Sequence, residues 1–149
     1  LKMRYIVAIL SVLLLSGCFG SDDTLSYTSP SGMPTVTLTN ISVSKAKSKV
    51  IDSCIESGFK IKEQNNSVVC WNKMEGLEGA FAKMLVGNSY STDPTANRQI
   101  VLTQKGKNVR LVGSRMWMES QMAFGQVRQE DLDSNQQLNE FQSFLESIK

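Results

Sequence analysis

Cysteine carries most of the chemistry that this 149-residue chain offers, because the chain has three cysteines and no histidine. A serine or cysteine nucleophile usually needs a neighbouring histidine as its base, and zinc sites commonly use histidine as a ligand. The sequence also has no glycine-rich phosphate loop, no CxxC pair and no G-x-S-x-G turn. We therefore expect no catalytic, cofactor-binding or metal site, and a protein that is not an enzyme.

The first cysteine, Cys18, ends a segment with the features of a secretory signal. Lys2 and Arg4 precede an apolar run, Tyr5–Leu15, that is interrupted only by Ser11. A transmembrane helix needs roughly 20 apolar residues, so this run is too short to span a bilayer. A charged start, a short apolar core and small residues before a cleavage site are typical of a signal peptide. We predict that residues 1–17 form this signal.

The residues around Cys18 also resemble a specific family motif. Leu15-Ser16-Gly17-Cys18 is similar to the lipobox of bacterial lipoproteins. The resemblance implies cleavage before Cys18, a diacylglycerol thioether on its sulfur, and often a fatty acyl group such as palmitate on the freed amine. It implies a membrane-anchored protein with its domain in the periplasm. Phe19, where an aspartate would favour the inner membrane, favours the outer membrane. The alternative is an ordinary secretory signal with a cysteine there by chance.

Removal of the signal changes the charge balance of the protein. The full chain has 16 Lys and Arg against 14 Asp and Glu, and the loss of Lys2 and Arg4 leaves 14 against 14. Removal of residues 1–17 from the 149 leaves 132 residues, which is enough for one domain with its own core. A balanced charge gives no general attraction to nucleic acid. We expect a membrane and an envelope protein as partners, and no nucleic acid.

The other two cysteines, Cys54 and Cys70, belong to elements that we expect to pack together. Ser42 or Ser44 can cap a helix, and Gly58 follows its last turn. The residues on the helical period are Val43, Ala46, Val50, Ile51 and Cys54. Residues 59–62 and 68–71 alternate as two strands around a polar turn. If residues 65 and 66 form the turn, Cys70 lies opposite Ile61, on the face that meets the helix. An oxidising compartment then favours a Cys54–Cys70 disulfide, and two buried free thiols are the alternative.

The remaining elements complete a two-layer α+β prediction. Residues 35–39 alternate as a strand, residues 77–85 have weak helical spacing, and residues 98–104 and 108–118 form a second hairpin that pairs Leu102 with Leu111. Residues 119–133 are polar and irregular, and Ser134 caps a last helix. We expect about five antiparallel strands with helices on one face, in the order strand, helix, hairpin, helix, hairpin, helix.

The predicted domain covers residues 35–149, and a flexible tether covers residues 18–34. The tether prediction rests on a composition rich in Ser, Thr, Asp, Gly and Pro, and the alternative is a structured extension that packs Leu25 and Tyr27 onto the domain. The order of elements resembles the helix-grip or TBP-like domains of envelope lipoproteins such as BamC. A fold of this kind does not determine a function.

Methionine and aromatic residues suggest a surface for contacts with another molecule. Such side chains adapt their shape, and exposed groups of them often mark binding sites. The alternative, which is the more common one, is that they fill the core beneath a long loop. The function that we expect is a protein-interaction module, and the alternative is a small-molecule or lipid carrier with an apolar cavity between helix and sheet. The candidate contact residues are Phe81, Met84, Leu85, Tyr90, Trp117, Met122 and Phe124.

Overall fold

A computed structural model describes residues 24–149 as one antiparallel sheet with three helices on one face. The order of strands across the sheet is β1-β5-β4-β3-β2, and β6 pairs with the second half of β5. This architecture confirms the predicted two-layer α+β fold. The elements are β1 (Thr35–Leu38), α1 (Val43–Glu56), β2 (Lys60–Glu63), β3 (Ser67–Lys73), α2 (Gly76–Val86), β4 (Thr95–Lys105), β5 (Asn108–Gln121), β6 (Val127–Asp131) and α3 (Asn135–Ser147).

The main core lies between the sheet and the helices α1 and α3. Alternate residues of the strands point into it, as expected for a sheet with one covered face. A smaller cluster joins α2 to the end of β5. Burial of large aliphatic and aromatic side chains contributes about 1.5–3 kcal/mol each to folding, so these two clusters position the rest of the molecule. The largest side chains of the main core are Phe141, Ile100, Leu111, Leu145 and Val50.

The starts of α1 and α3, and the end of α1, are set by local features that the sequence predicts. The side chain of Ser42 accepts a hydrogen bond from the backbone N–H of Lys45 at the start of α1. Ser134 and Gln137 form a reciprocal capping box at the start of α3. Gly58, with φ of 82°, takes the left-handed conformation just after α1, which only glycine adopts without strain.

Both predicted hairpins have the predicted register. Ile61 pairs with Cys70 in the β2–β3 hairpin, and Leu102 pairs with Leu111 in the β4–β5 hairpin. A register shift between Gln99 and Ile100 then keeps the two long strands β4 and β5 in step with the covered face. Alternation thus fixes which side chains face the helices on either side of the shift, and the shift itself moves the covered positions of β5 from Leu111 and Gly113 to Met116 and Met118.

The sixth strand is a correction to the prediction of about five strands. Residues 119–133 were expected to be irregular, but β5 continues to Gln121 and Val127–Asp131 forms β6 beside it. Every residue of β6 is exposed, so the strand has no buried face and no hydrophobic alternation that a sequence could reveal. Backbone pairing with β5 and an ion pair between Arg115 and Asp131 hold it in place.

Part of the predicted tether contacts the domain. The side chain of Asn139 in α3 accepts a hydrogen bond from the backbone N–H of Ser26 and donates one to the carbonyl of Thr24. Pro34 is buried, and its carbonyl accepts a hydrogen bond from Gly113 of β5. These hydrogen bonds join parts of residues 24–34 to α3 and β5, while Leu25 stays exposed. The lipobox and Cys18 lie outside the described residues.

Candidate functional site

The helix α2 packs on the sheet through its smallest residues. Gly79, Ala82 and Val86 are its buried positions, and the last two contact Met118 of β5. A Cβ atom on Gly79 would lie 2.9 Å from the carbonyl carbon of Met74, so the close approach of this turn requires glycine. Because small residues occupy the inner side of the helix, its large apolar residues are left on the outer side.

The outer face of α2 consists of Leu77, Phe81, Met84 and Leu85. These positions are i, i+4, i+7 and i+8, which form one stripe along a helix. They are 87, 70, 79 and 56 % exposed, respectively. A surface helix normally turns such a stripe toward the core, and this helix presents it to solvent. Contiguous exposed apolar side chains of this size are typical of a contact surface.

No protein-family model and no curated protein matches this chain. The geometry of the described residues therefore carries the functional interpretation.

The structure divides the seven candidate contact residues among different places. Phe81, Met84 and Leu85 lie together on the outer face of α2, and none of them fills the core. Tyr90 is exposed in the loop that follows α2, and Phe124 is exposed in the turn between β5 and β6. Met122, which is half-buried, begins that turn.

Trp117 lies on the other side of the sheet from α2. Its neighbours Met116 and Met118 are buried beneath the helices, and alternation along β5 turns Trp117 to the uncovered face. The structure therefore separates Trp117 from the α2 residues with which it was grouped. Because neighbouring residues of a strand point to opposite faces, Trp117 cannot share a contact surface with Met116 or Met118.

Cys54 and Cys70 meet at the interface between α1 and β3. Both residues are fully buried, their Cα atoms are 6.0 Å apart, and the two sulfur atoms are within disulfide-bonding distance. This agrees with the expectation that both point into the same helix–sheet interface. The pair closes a loop over a sequence separation of 16 and fastens α1 to β3, which lies next to the edge strand β2.

A groove of about 380 Å³ runs between α2, α3 and the sheet. Its base contains Arg98, whose guanidinium lies 5.0 Å from the centroid of the Phe59 ring and 5.8 Å from that of Phe144. Burial lowers the pKa of the Arg98 guanidinium, and the charge of Glu140 acts in the opposite direction. Within residues 24–149, Arg98 takes part in no ion pair.

A second polar group in the same groove also lacks a partner. The Oδ1 atom of Asn72 is buried and accepts no hydrogen bond from the described residues. A buried polar atom of this kind costs about 1–3 kcal/mol, so it marks a place where a ligand donor would be favourable. The apolar side chains that line the groove are Phe59, Met116 and Met118, together with Phe81 and Leu85, which the groove shares with the outer face of α2.

The groove residues Arg98 and Asn72 were not among the predicted site residues. A signal for Arg98 was present, because in the predicted strand 98–104 it shares the alternation of Ile100 and Leu102, which face the core. An arginine at a core-facing position needs a special environment, since burial of an unpaired charge is costly. Asn72 follows the predicted strand 68–71 by one residue, so its face was not defined.

Two further properties of the described residues concern membranes and metals. Within residues 24–149, no helix combines the length and the apolar character needed to cross a membrane. In the same part of the chain, no three His, Cys, Asp or Glu side chains come together as a group that could hold a metal ion.

Proposed function

We propose that this protein is an envelope lipoprotein, anchored by a lipid on Cys18, whose domain docks onto another envelope protein through the outer face of α2. The single observation that carries the docking part is the reversed polarity of α2, in which small residues are buried and large apolar residues are exposed. The proposal places the domain in the periplasm, with the outer membrane favoured over the inner membrane.

The chemistry of the outer face defines the partner that it fits. The stripe contains flexible leucine and methionine side chains and one phenylalanine, with Glu78 and Lys83 of opposite charge beside it. An amphipathic helix face of this kind fits an apolar groove on a protein, with anchors at i, i+4 and i+7. A single Lys83 gives little attraction to an anionic lipid surface, whereas membrane-binding helices carry several basic residues. The observations therefore favour a protein over a bilayer as the occupant.

The anchor is tested by the Cys18→Ser variant of the full chain. Wild-type protein is expected in the membrane fraction after export, and the variant is expected in the soluble periplasmic fraction, because the thioether lipid is absent. Cys54→Ser serves as the control and should stay with the membrane. Membrane attachment that survives Cys18→Ser would contradict the anchor.

The docking surface is tested by co-purification of the tagged full chain with its partner. The triple variant Leu77→Gln, Phe81→Gln and Met84→Gln removes the apolar stripe but keeps good helix formers. Wild type should recover an envelope protein in stoichiometric amount. The recovered amount should fall about tenfold or more with the triple variant, since each hot-spot residue contributes about 1–2 kcal/mol. A matched triple variant on α1, Lys45→Gln, Lys49→Gln and Asp52→Gln, should change nothing.

A second candidate function, a carrier for a small amphipathic anion, is favoured by the groove beneath α2. Arg98 can bind a carboxylate or phosphate, Asn72 can accept a hydrogen bond, and the apolar walls can take a hydrocarbon chain. The probe is palmitate, measured by calorimetry with the full chain. Arg98→Gln should weaken its binding about tenfold and the exposed Arg110→Gln should not. No binding of palmitate by wild type would exclude this function for fatty acids.

A further inference from the structure

The uncovered face of the sheet aligns the only two tryptophans of the chain. Trp71 of β3 pairs with Asn97 of β4, and Asn97 pairs with Trp117 of β5, so the three residues form one row across neighbouring strands. Neighbouring strands are about 4.8 Å apart, which places the backbones of the two tryptophans about 10 Å from each other. This arrangement is independent of α2, which covers the opposite face.

Each indole ring contacts a cation, and the first of these, Lys60, continues the row onto β2 as the cross-strand partner of Trp71. The Nζ atom of Lys60 on β2 lies 5.1 Å from the centroid of Trp71. The guanidinium of Arg115 lies 4.8 Å from the centroid of Trp117, and its Nε donates to Asp131 of β6 at 2.7 Å. Cation–π contacts of this type contribute about 0.5–1 kcal/mol at exposed sites. They fix the orientation of the rings in the absence of a ligand.

The Trp117 ring is also fixed by a polar network. Its Nε1 donates a hydrogen bond to the Glu119 carboxylate at 2.9 Å, and Gln129 of β6 donates to the same oxygen at 2.8 Å. Arg115 donates to Gln129 at 3.1 Å. Two donors already occupy the carboxylate of Glu119, so it is committed to holding the ring.

The space between the tryptophans is a cleft of about 540 Å³ with an amide-rich lining that also contains Lys62 and Glu119. Asn97 is 5 % exposed and its Nδ2 donates to Thr95, while its Oδ1 accepts no hydrogen bond from residues 24–149. The Nε2 of Gln99 makes only long hydrogen bonds, of 3.3 and 3.4 Å, to Gln64 and Ser67. A side-chain amide offers both donors and an acceptor, which suits a hydroxyl group that does both.

We propose that this cleft binds a neutral oligosaccharide that lies across β3, β4 and β5. The apolar C–H faces of its sugar rings stack on Trp71 and Trp117, and its hydroxyl groups pair with Asn97 and Gln99. A sugar combines an apolar face with closely spaced hydroxyls, and the cleft offers both complements at once. The lining has one lysine, Lys62, and one carboxylate, Glu119, so its charges balance and favour a neutral ligand.

Tryptophan fluorescence tests the proposal directly, because both tryptophans of the chain line the cleft. The probes are three neutral tetrasaccharides, β-1,4-linked N-acetylglucosamine, β-1,4-linked glucose and α-1,4-linked glucose, titrated to millimolar concentration into the full chain. At least one should give a saturable change in emission. The proposal would be overturned if all three tetrasaccharides leave the fluorescence unchanged and give no calorimetric heat of binding.

Variants then assign the binding to the cleft. Trp117→Ala and Gln99→Ala should each weaken binding about tenfold by calorimetry. Gln99→Ala is the second variant because Gln99 makes only long hydrogen bonds. It tests the cleft even where Trp117→Ala fails to fold. Phe81→Gln on the helix side is the control and should keep wild-type affinity. Binding that is unchanged by Gln99→Ala and by a circular-dichroism-verified Trp117→Ala would overturn the proposal, and it would leave the α2 docking surface unaffected.

Discussion

Gln142 of α3 pairs with both backbone groups of Thr35 at the open edge of β1. Its Oε1 accepts a hydrogen bond from the N–H of Thr35 at 2.8 Å, and its Nε2 donates to the carbonyl of Thr35 at 3.2 Å. The side-chain amide thus takes the place of a neighbouring strand at this residue. It joins the last helix to the first strand, which are far apart in sequence, and protects part of an edge that could pair with another chain.

Replacement of Gln142 with leucine should destabilise the domain. Gln142 is buried, so leucine leaves the two Thr35 groups without partners, at a cost of about 1–3 kcal/mol in the free energy of unfolding. Urea unfolding followed by circular dichroism measures the change. Gln136→Leu, at an exposed position of the same helix, is the matched control. Equal stability of the two variants would show that the Thr35 hydrogen bonds contribute nothing measurable.

Loss of the Cys54–Cys70 link should have a larger effect. The chain-entropy model gives about 3 kcal/mol for a loop of this length. The double variant Cys54→Ala and Cys70→Ala should therefore unfold at lower urea concentration than wild type, and a reducing agent should shift wild type but not the variant. Non-reducing mass spectrometry of the exported protein should show the Cys54–Cys70 crosslink. Two free thiols in that measurement would reject it.

Gly113 of β5 is required by the ring of Phe141. A Cβ atom at residue 113 would lie 2.6 Å from Cε1 of Phe141, which is 1 % exposed. Gly113→Ala should lower the free energy of unfolding by about 1–3 kcal/mol through overpacking. The double variant with Phe141→Leu should recover part of this loss. A Gly113→Ala protein as stable as wild type would refute the tight contact.

The two sides of α2 should respond differently to substitution. Leu77→Gln and Met84→Gln, on the outer face, should change the free energy of unfolding by less than about 0.5 kcal/mol, because these side chains bury little surface. Val86→Ala, on the inner side, should cost about 1–3 kcal/mol, since Val86 is fully buried against Met118. Thermal unfolding distinguishes the two groups. A large loss from Leu77→Gln would mean that the outer face is not free.

Much of the fold could be predicted because its strands have one covered face. The turns at residues 65–66 and 106–107 pair Ile61 with Cys70 and Leu102 with Leu111, and alternation supports this register, since a slip of one residue would expose every core side chain. The serine caps at residues 42 and 134 mark the helix starts through local hydrogen bonds that need no tertiary information.

The candidate site was less predictable because packing reverses the usual patterns there. The spacing of Leu77, Phe81, Met84 and Leu85 indicates a helix, but the pattern does not reveal that the small residues face the sheet. β6 has no buried side chain and therefore no hydrophobic signal. The row from Trp71 to Trp117 depends on the pairing of three strands, which the sequence does not give. Alternation within one strand indicates only that Trp117 faces the opposite side from Met116 and Met118.

The most direct measurement of the proposed function is site-specific photo-crosslinking in cells from residue 84, at the centre of the outer face of α2. A photoreactive amino acid there should give one discrete protein adduct, and the same group at the exposed residue 52 of α1 should not give it. Phe81→Gln in the same chain should reduce the adduct. Crosslinks from residue 84 that recover only lipid, or no adduct at all, would contradict the account that α2 docks this lipoprotein onto a protein.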